Sequence, residues 1–405
     1  MDAVIKPSKA FGSISAPPSK SMAHRYIICA ALAEGTSVIS NLAGSEDILA
    51  TLDCIKALGA EVDYKGDSAV ITGIGGKEHE PNAELFCRES GSTLRFFIPI
   101  ALALGTSAKF HGSETLMTRP MSVYEDICRD RNLSFERKDG CILVSGKLSG
   151  GEYEFAGNVS SQFVTGLLFA LPMLEGCSTI TLIPPVESRS YIGLTLQALR
   201  DFGIKAGWKD DCTLEIPGGQ VYKPVNCAVE GDWSNAAFLD VFNVLGGNVE
   251  VSGVREDSLQ GDRVCTKHFR SLAKGFAEID ITDCPDLGPV LMAAAAALNG
   301  GVFTGTKRLA IKESNRGLVM CEELKAFGIS SDFEEDRITI YKSELKAPKE
   351  AVGGHNDHRI VMSMATLLSL TGGTVTGAQA VRKSFPDYFD RIKQLGIEVE
   401  FNGMD

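Results

Sequence analysis

The sequence lacks every feature that would tie it to a membrane or to nucleic acid. No apolar run approaches the roughly 18 residues that a membrane-spanning helix needs. The opening stretch, MDAVIKPSKAFGSIS, has neither the basic start and apolar middle of a secretory signal nor the arginine-rich pattern of a transit peptide, so a cytoplasmic location is expected. No basic run or basic domain stands out and the formal net charge is −12, which argues against nucleic acid as the partner. In so acidic a chain, any local cluster of Lys and Arg carries information. There are 11 cysteines but no CxxC pair; scattered from Cys29 to Cys321, they read as small apolar residues in a reducing compartment. Neither a GxGxxG turn inside a βαβ unit nor a GxxxxGK[ST] loop occurs, which removes the common nucleotide-binding motifs. The run Gly73-Ile74-Gly75-Gly76 reads as a surface turn.

What is present is repetition. One motif is an apolar helix ending in Gly and followed by a β-branched strand: ALAEGTSVI, ALALGTSAKF, MLEGCSTITL, NVLGGNVEV, ALNGGVFTG and LSLTGGTVTG, marked at Gly35, Gly105, Gly176, Gly247, Gly301 and Gly373. A second motif, a helix ending in Leu-Gly or a similar pair before a strand, is marked at Gly59, Asn132, Gly203, Gly275, Gly328 and Gly396. Intervals in the first series are 70, 71, 71, 54 and 72 residues, and in the second 73, 71, 72, 53 and 68, so both shorten at the same place. A Gly or Asn after a helix supplies the left-handed residue that ends it, and the alternation that follows reads as a strand. Six copies of about 70 residues, two helices and several strands each, predict two similar α/β domains of three copies. Two domains also suit a chain of 405 residues. The expected division gives one domain to residues 15–228 and the other to 1–14 plus 229–405, with one strand covering Met1 to about Ile14.

Polar and cationic residues gather at predicted helix starts in both halves. In PPSKSMAHRYIICAALAEG, Ser19 or Ser21 caps the helix, and Ser21 and Arg25 share a face. In CRESGSTLRFFIPIALALG, Gly91 lets a ligand approach the backbone, with Arg95 one turn on; NVSSQFVTGLLFALP starts with Ser160, Ser161 and Gln162. Further on, IKESNR places Lys312 and Arg316 around Glu313, HNDHR brings His358 and Arg359 to a helix start, and Lys383 precedes a helix near Pro386. Asp286 precedes a strongly apolar helix and reads as its cap; Asp232 falls at the expected domain joint. The His355/His358 pair with Asp357 has the look of a metal site but no third spaced ligand elsewhere, so no metal is expected. Helix starts with their free N–H groups, joined by Lys and Arg, form anion sites.

These segments resemble the motifs of the 5-enolpyruvylshikimate-3-phosphate synthase family: SKSMAHR (19–25), SGSTLR (90–95), TRP (118–120), SSQF (160–163), VEGDWS (229–234), PDLGPV (285–290), IKESNR (311–316), NDHR (356–359) and KSFPDYF (383–389). They follow the family's order over nearly the whole chain. The resemblance implies two three-repeat domains of enolpyruvyl transferase type with the active site in the cleft between them. It implies transfer of the enolpyruvyl group of phosphoenolpyruvate to the 5-hydroxyl of shikimate 3-phosphate, on the way to chorismate and the aromatic amino acids. No metal or organic cofactor is implied, and the expected partners are these two small molecules, with no nucleic acid and no membrane, in a monomer.

Carried over residue by residue, the resemblance gives Asp286, Glu313 and Lys20 catalytic roles, with Asp286 as base and Glu313 as proton donor. Lys20, Ser21, Arg25, Ser160, Ser161, Gln162, Ser188, Tyr191, Asp286 and Lys312 would bind shikimate 3-phosphate. Lys20, Gly91, Arg119, Gln162, Arg316, Arg359 and Lys383 would bind phosphoenolpyruvate, with His358 flanking the site. The wording SGSTLRF departs from the commoner form of the Gly91 loop, and SRSY (188–191) and Arg308 fall where the family varies. Two alternatives stand beside this reading. UDP-N-acetylglucosamine enolpyruvyl transferases share the fold and donor, but they carry a loop cysteine before the arginine that matches Arg119, and His111–Pro120 contains none. A non-catalytic anion-binding repeat protein would keep the glycines and the apolar pattern without needing Asp286, Glu313, Lys20 and Lys383 together.

Overall fold

Apart from a single helical turn at Glu114–Met117, each copy contributes two helices, an arrangement visible in a computed structural model that describes residues 1–79 and 81–403. In chain order these are α1 (Lys20–Leu32), α2 (Glu46–Ala57), α3 (Gly91–Leu104), α4 (Ser122–Asp130), α5 (Ser161–Ala170), α6 (Arg189–Asp201), α7 (Trp233–Val244), α8 (Cys265–Lys274), α9 (Gly288–Ala297), α10 (Arg316–Leu324), α11 (His358–Thr371) and α12 (Tyr388–Gln394). The chain divides into two compact units: a central unit, Pro18–Glu230, and a terminal unit, Met1–Pro17 with Gly231–Asp405. Each has its own apolar core.

The central unit carries three four-stranded sheets of one design. In each, a parallel pair is extended by two antiparallel strands. The orders are Asn226–Ala228, Thr36–Ser40, Ser68–Thr72, Glu61–Tyr64; then Asn82–Phe86, Ser107–His111, Cys141–Ser145, Ser134–Lys138; then Glu152–Ala156, Cys177–Ile183, Thr213–Pro217, Gly207–Trp208. Alternation sets which face goes inward. In Ser107–His111, Ala108 and Phe110 are buried while Ser107 and Lys109 face out, and Phe110 is registered opposite Ile142.

The terminal unit repeats this design once, with Ala277–Asp280, Gly301–Thr304, Arg337–Ile340 and Ser331–Phe333. Its other two sheets recruit the N-terminus. Phe11–Ser15 runs parallel to Asn248–Ser252, and Asp2–Ile5 lies between Gly373–Val375 and Val399–Asn402, antiparallel to both. The single strand expected over residues 1–14 is therefore two strands. Pro7, which has no N–H to give a ladder, falls in the break between them.

The first helices of the copies are buried on nearly every side. In α3 all residues but Ser92 and Leu104 are buried, and in α9 all but Ala297. By contrast α8 buries only Cys265, Phe269 and Leu272, a stripe at helical spacing. Local capping fixes where the inner helices start: Ser19 accepts from the Met22 N–H, Ser90 from Thr93, Ser160 from Gln162, Asp232 from Asn235 and Asp357 from Arg359. Pro99 inside α3 deprives the Arg95 carbonyl of its helical donor. The buried Tyr124 hydroxyl donates to that carbonyl at 2.7 Å, and α5 passes close by because Gly166 has no side chain: a Cβ there would stand 2.3 Å from the Tyr124 hydroxyl.

The glycine punctuation differs in detail from expectation. Gly35, Gly105 and Gly176 have positive φ, but in copies four and five the left-handed residue is the first of each Gly-Gly pair, Gly246 and Gly300, while Gly247 and Gly301 do not have positive φ. Gly301 already begins a strand. In the second series Gly275 is extended, with φ 164°, whereas Gly59, Asn132, Gly203, Gly328 and Gly396 are left-handed. The run at 73–76 is also only partly a surface turn. Gly73 and Ile74 are buried, and the N–H groups of Ile74 and Gly75 donate to the Ala31 and Ala33 carbonyls, closing the end of α1. No helix among the described residues is long and apolar enough to cross a membrane, and none of the eleven cysteines is in a disulfide.

Candidate active site

In the central unit, the starts of α1, α3 and α5 carry the polar groups. Arg25 is 3% exposed. Its Nε donates to Thr195 Oγ1 at 2.9 Å, Nη1 to the Ser21 carbonyl at 2.6 Å, and Nη2 to the Tyr191 carbonyl at 3.0 Å and Thr165 Oγ1 at 3.5 Å. All of these acceptors are neutral, and no carboxylate pairs with Arg25 among the described residues. Burial pushes the guanidinium down to about 10, still protonated at neutral pH. A buried cation satisfied only by neutral oxygens is a position prepared for an anion.

Gly91 opens a second position. A Cβ there would stand 2.6 Å from Arg119 Nη1 and 3.2 Å from Arg95 Nη1, so a side chain at this position would have to displace the two guanidinium groups. Arg119 Nε is buried without a hydrogen-bond partner among the described residues. Gln162 is fixed at both ends, its Oε1 accepting from Arg95 at 2.7 Å and its Nε2 donating to Ser92 at 2.9 Å. Lys20, the first residue of α1, pairs with Asp47 at 2.9 Å. Ser161 and Ser188 are buried at the starts of α5 and α6, Ser188 with φ 52°.

The terminal unit holds the second cluster. Arg316, 1% exposed, is the hub. It reaches Asp357 with Nε at 2.8 Å, Asp286 with Nη1 at 2.9 Å and Glu313 with Nη2 at 2.6 Å. Lys312 and Arg359 close on Asp286 at 3.1 and 3.3 Å. Burial alone would raise the Asp286 carboxyl, but Arg359, Lys312 and Arg316 outweigh it and hold it well below the usual carboxylate range. Burial lowers Lys312, offset in part by Asp286. The Arg359 Nε and Nη1 atoms are buried without hydrogen-bond partners among the described residues. Lys383 Nζ donates to the Asn356 carbonyl at 2.6 Å.

The structure therefore gathers Ser21, Arg25 and Tyr191 in one group, Gly91, Arg119 and Gln162 in another, and Asp286, Lys312, Glu313, Arg316 and Arg359 in a third. Asp286 does not cap the apolar helix it precedes: a 3-10 turn, Pro285–Leu287, intervenes and its carboxylate faces the cations instead. Asp232 caps α7. His355 turns to Glu323 at 2.6 Å, and among the described residues no group of three or more His, Cys, Asp or Glu is placed to hold a metal ion. The roles carried over from the family motifs omit Asp47 and also Arg95 and Asp357, although the last two lie inside matching segments. Arg95 had a signal, a lone cation in an apolar helix, and Asp357 sits in the capping position before His358. Asp47 had none, because it acts through Lys20 from another helix.

A family model described as EPSP synthase (3-phosphoshikimate 1-carboxyvinyltransferase) matches residues 4–392. The chain belongs to the EPSP synthase family. Relatives called 3-phosphoshikimate 1-carboxyvinyltransferase include one from Clostridium kluyveri, 37% identical over 98% of this chain and 97% of the relative. Another, from Clostridioides difficile, is 36% identical over 98% of both. Among solved structures, EPSP synthase from Acinetobacter baumannii aligns with TM-score 0.79 at 24% identity, covering 99% of this chain and 100% of that one. The enolpyruvyl transferase NikO from Streptomyces tendae aligns with TM-score 0.76 at 13% identity over 98% of each. The family is one of transferases, and the repeated β/α units described above are its fold. The motifs of the sequence and the whole-chain comparisons thus lead to one family.

Proposed function

We propose that this chain transfers the enolpyruvyl group of phosphoenolpyruvate to the 5-hydroxyl of shikimate 3-phosphate and releases phosphate. The observation that carries this reading is that one buried guanidinium, Arg316, holds both carboxyl groups the chemistry needs, Asp286 at 2.9 Å and Glu313 at 2.6 Å, within a ring of cations. Phosphoenolpyruvate brings a carboxylate and a phosphate on three carbons. Arg316, Arg359 and Lys383, with Gly91, Arg119 and Gln162, are the groups assigned to it. Arg25, Ser21, Ser160, Ser161, Ser188, Tyr191 and Lys312 are assigned to shikimate 3-phosphate, and Lys20 and Gln162 to both substrates.

The substrate hydroxyl adds to C2 of phosphoenolpyruvate and loses its proton to Asp286, while C3 takes a proton from Glu313. The tetrahedral adduct then gives back a C3 proton as the C2–O bond to phosphate breaks. Held by three cations, Asp286 is a weak base in the free protein. When Arg316 and Arg359 turn toward an incoming dianion, that restraint falls and the carboxylate gains basicity. The cations meanwhile stabilise the charge that builds on the phosphate. The chain is taken to act as a cytoplasmic monomer without a cofactor.

The test is phosphate release from phosphoenolpyruvate, without added metal, in the presence of shikimate 3-phosphate or of UDP-N-acetylglucosamine. Release with the first alone is expected. Release with the nucleotide sugar alone would assign another acceptor, and silence in both from folded protein would favour a binding role.

A further inference from the structure

Behind the central-unit groups runs a chain of four buried polar side chains that the chemistry above does not use. His24, Thr51, Thr93 and Ser90 are each at most 1% exposed. His24 Nδ1 lies 2.7 Å from Thr51 Oγ1, Thr51 Oγ1 lies 2.8 Å from Thr93 Oγ1, and Thr93 Oγ1 donates to Ser90 Oγ at 2.7 Å. The four residues belong to α1, α2, α3 and the cap of α3.

Proton counting orients the chain. A hydroxyl has one proton to give. Thr93 gives its proton to Ser90, so the Thr51–Thr93 contact draws on the Thr51 proton, which the Asp47 carbonyl at 3.3 Å also accepts; both uses spend it away from His24. Thr51 then has only a lone pair for His24, and the imidazole must donate from Nδ1. That leaves Nε2 as the unprotonated nitrogen, and it is buried without a hydrogen-bond partner. A proton on Nε2 would add an unpaired donor and a charge beside Lys20 and Arg25. Burial first, then these two cations, hold the imidazole well below its ordinary range.

The chain joins elements that carry site residues. Thr51 is on the helix whose first turn supplies Asp47 to Lys20, and Ser90 caps the helix that begins at Gly91 and carries Arg95. We propose that His24 is a positioning residue: as the Nδ1–H tautomer it begins a one-way hydroxyl chain that fixes the starts of α1, α2 and α3 against one another, and so sets where Lys20, Gly91 and Arg95 stand. The kinetic consequence rests on the reading that Lys20 and Gly91 bind phosphoenolpyruvate.

Two measurements test it separately. In the full chain labelled with 15N-histidine, six imidazoles are visible, and His24 is assigned by the signal missing in His24→Phe, which keeps ring volume and removes the donor. The expected pattern is neutral and Nδ1-protonated, unchanged from about pH 5.5 to 8. An Nε2-protonated pattern, or titration within that range, overturns the proposal, and this outcome does not depend on the reaction. In the second measurement, Thr93→Val and His24→Phe each raise the KM for phosphoenolpyruvate roughly tenfold, with a smaller change in kcat. Thr93→Ser restores the wild-type value, and the double variant is no worse than either alone. A lower melting temperature with unchanged KM in either folded variant would make the chain merely structural and overturn the proposal.

Discussion

Arg25 takes a full charge into the interior and meets only neutral oxygens there. Such a residue costs the free protein stability and is retained for what it binds. Arg25→Met is therefore expected to leave the urea midpoint unchanged or higher, while raising the KM for shikimate 3-phosphate by on the order of 10²-fold, as for loss of a buried charge-assisted contact. A large loss of stability with intact KM would contradict this. His24 gives a second expectation. Its folded-state value lies well below its ordinary one, so the unfolded chain takes up a proton that the folded chain refuses. Stability tied to this group is fully present above about pH 6.5 and is lost as pH falls from there toward the folded value, at up to about 1.4 kcal/mol per pH unit. Unfolding of the wild type should weaken through that window more steeply than unfolding of His24→Phe. At this scale the sequence displayed residues whose chemistry is local: Arg25, Gly91 and Gln162 stand at helix starts that their own neighbours define. It did not display Asp47 or Thr51, which matter only through partners on other helices.

Among the elements, α3 depends on a repair. Pro99 removes a donor from the helix, and Tyr124 supplies one to the orphaned Arg95 carbonyl from a different helix. Tyr124→Phe should cost about 1–3 kcal/mol, the penalty of an unsatisfied buried carbonyl. In a Pro99→Ala background, where the helix again satisfies that carbonyl, the same change should cost clearly less. A double-mutant cycle in urea measures the difference, and equal costs would refute the account. The helices and their stops were legible because glycines follow most of them and the inner ones start at caps of their own, such as Ser19, Ser90 and Asp232. Offsets such as Gly246 for Gly247, and the extended Gly275, were not, since a Gly-Gly pair does not say which member turns. Short strands were the least legible. Asp2–Ile5 has four residues, and its place is decided by partners near the other end of the chain.

For the whole molecule, two separate cores imply separate folding competence. Residues 18–230 contain every strand of their three sheets, so that fragment should fold alone and unfold cooperatively in urea. Residues 231–405 lack the two N-terminal strands their sheets require. They should stay unfolded or aggregate until a peptide of residues 1–17 is added. Independent folding of 231–405 without the peptide would contradict this. The Asp2–Ile5 pairing also imposes an order on synthesis. Asp2–Ile5 is made some 370 residues before its neighbours Gly373–Val375 and Val399–Asn402, as the pairings of Ala3 with Val375 and with Phe401 show. While the central unit is completed on the nascent chain, this strand waits with both edges bare. The terminal unit closes around it only once Val399–Asn402 has been made, and until then a folding helper or a crowded neighbour has its longest opportunity to meet it.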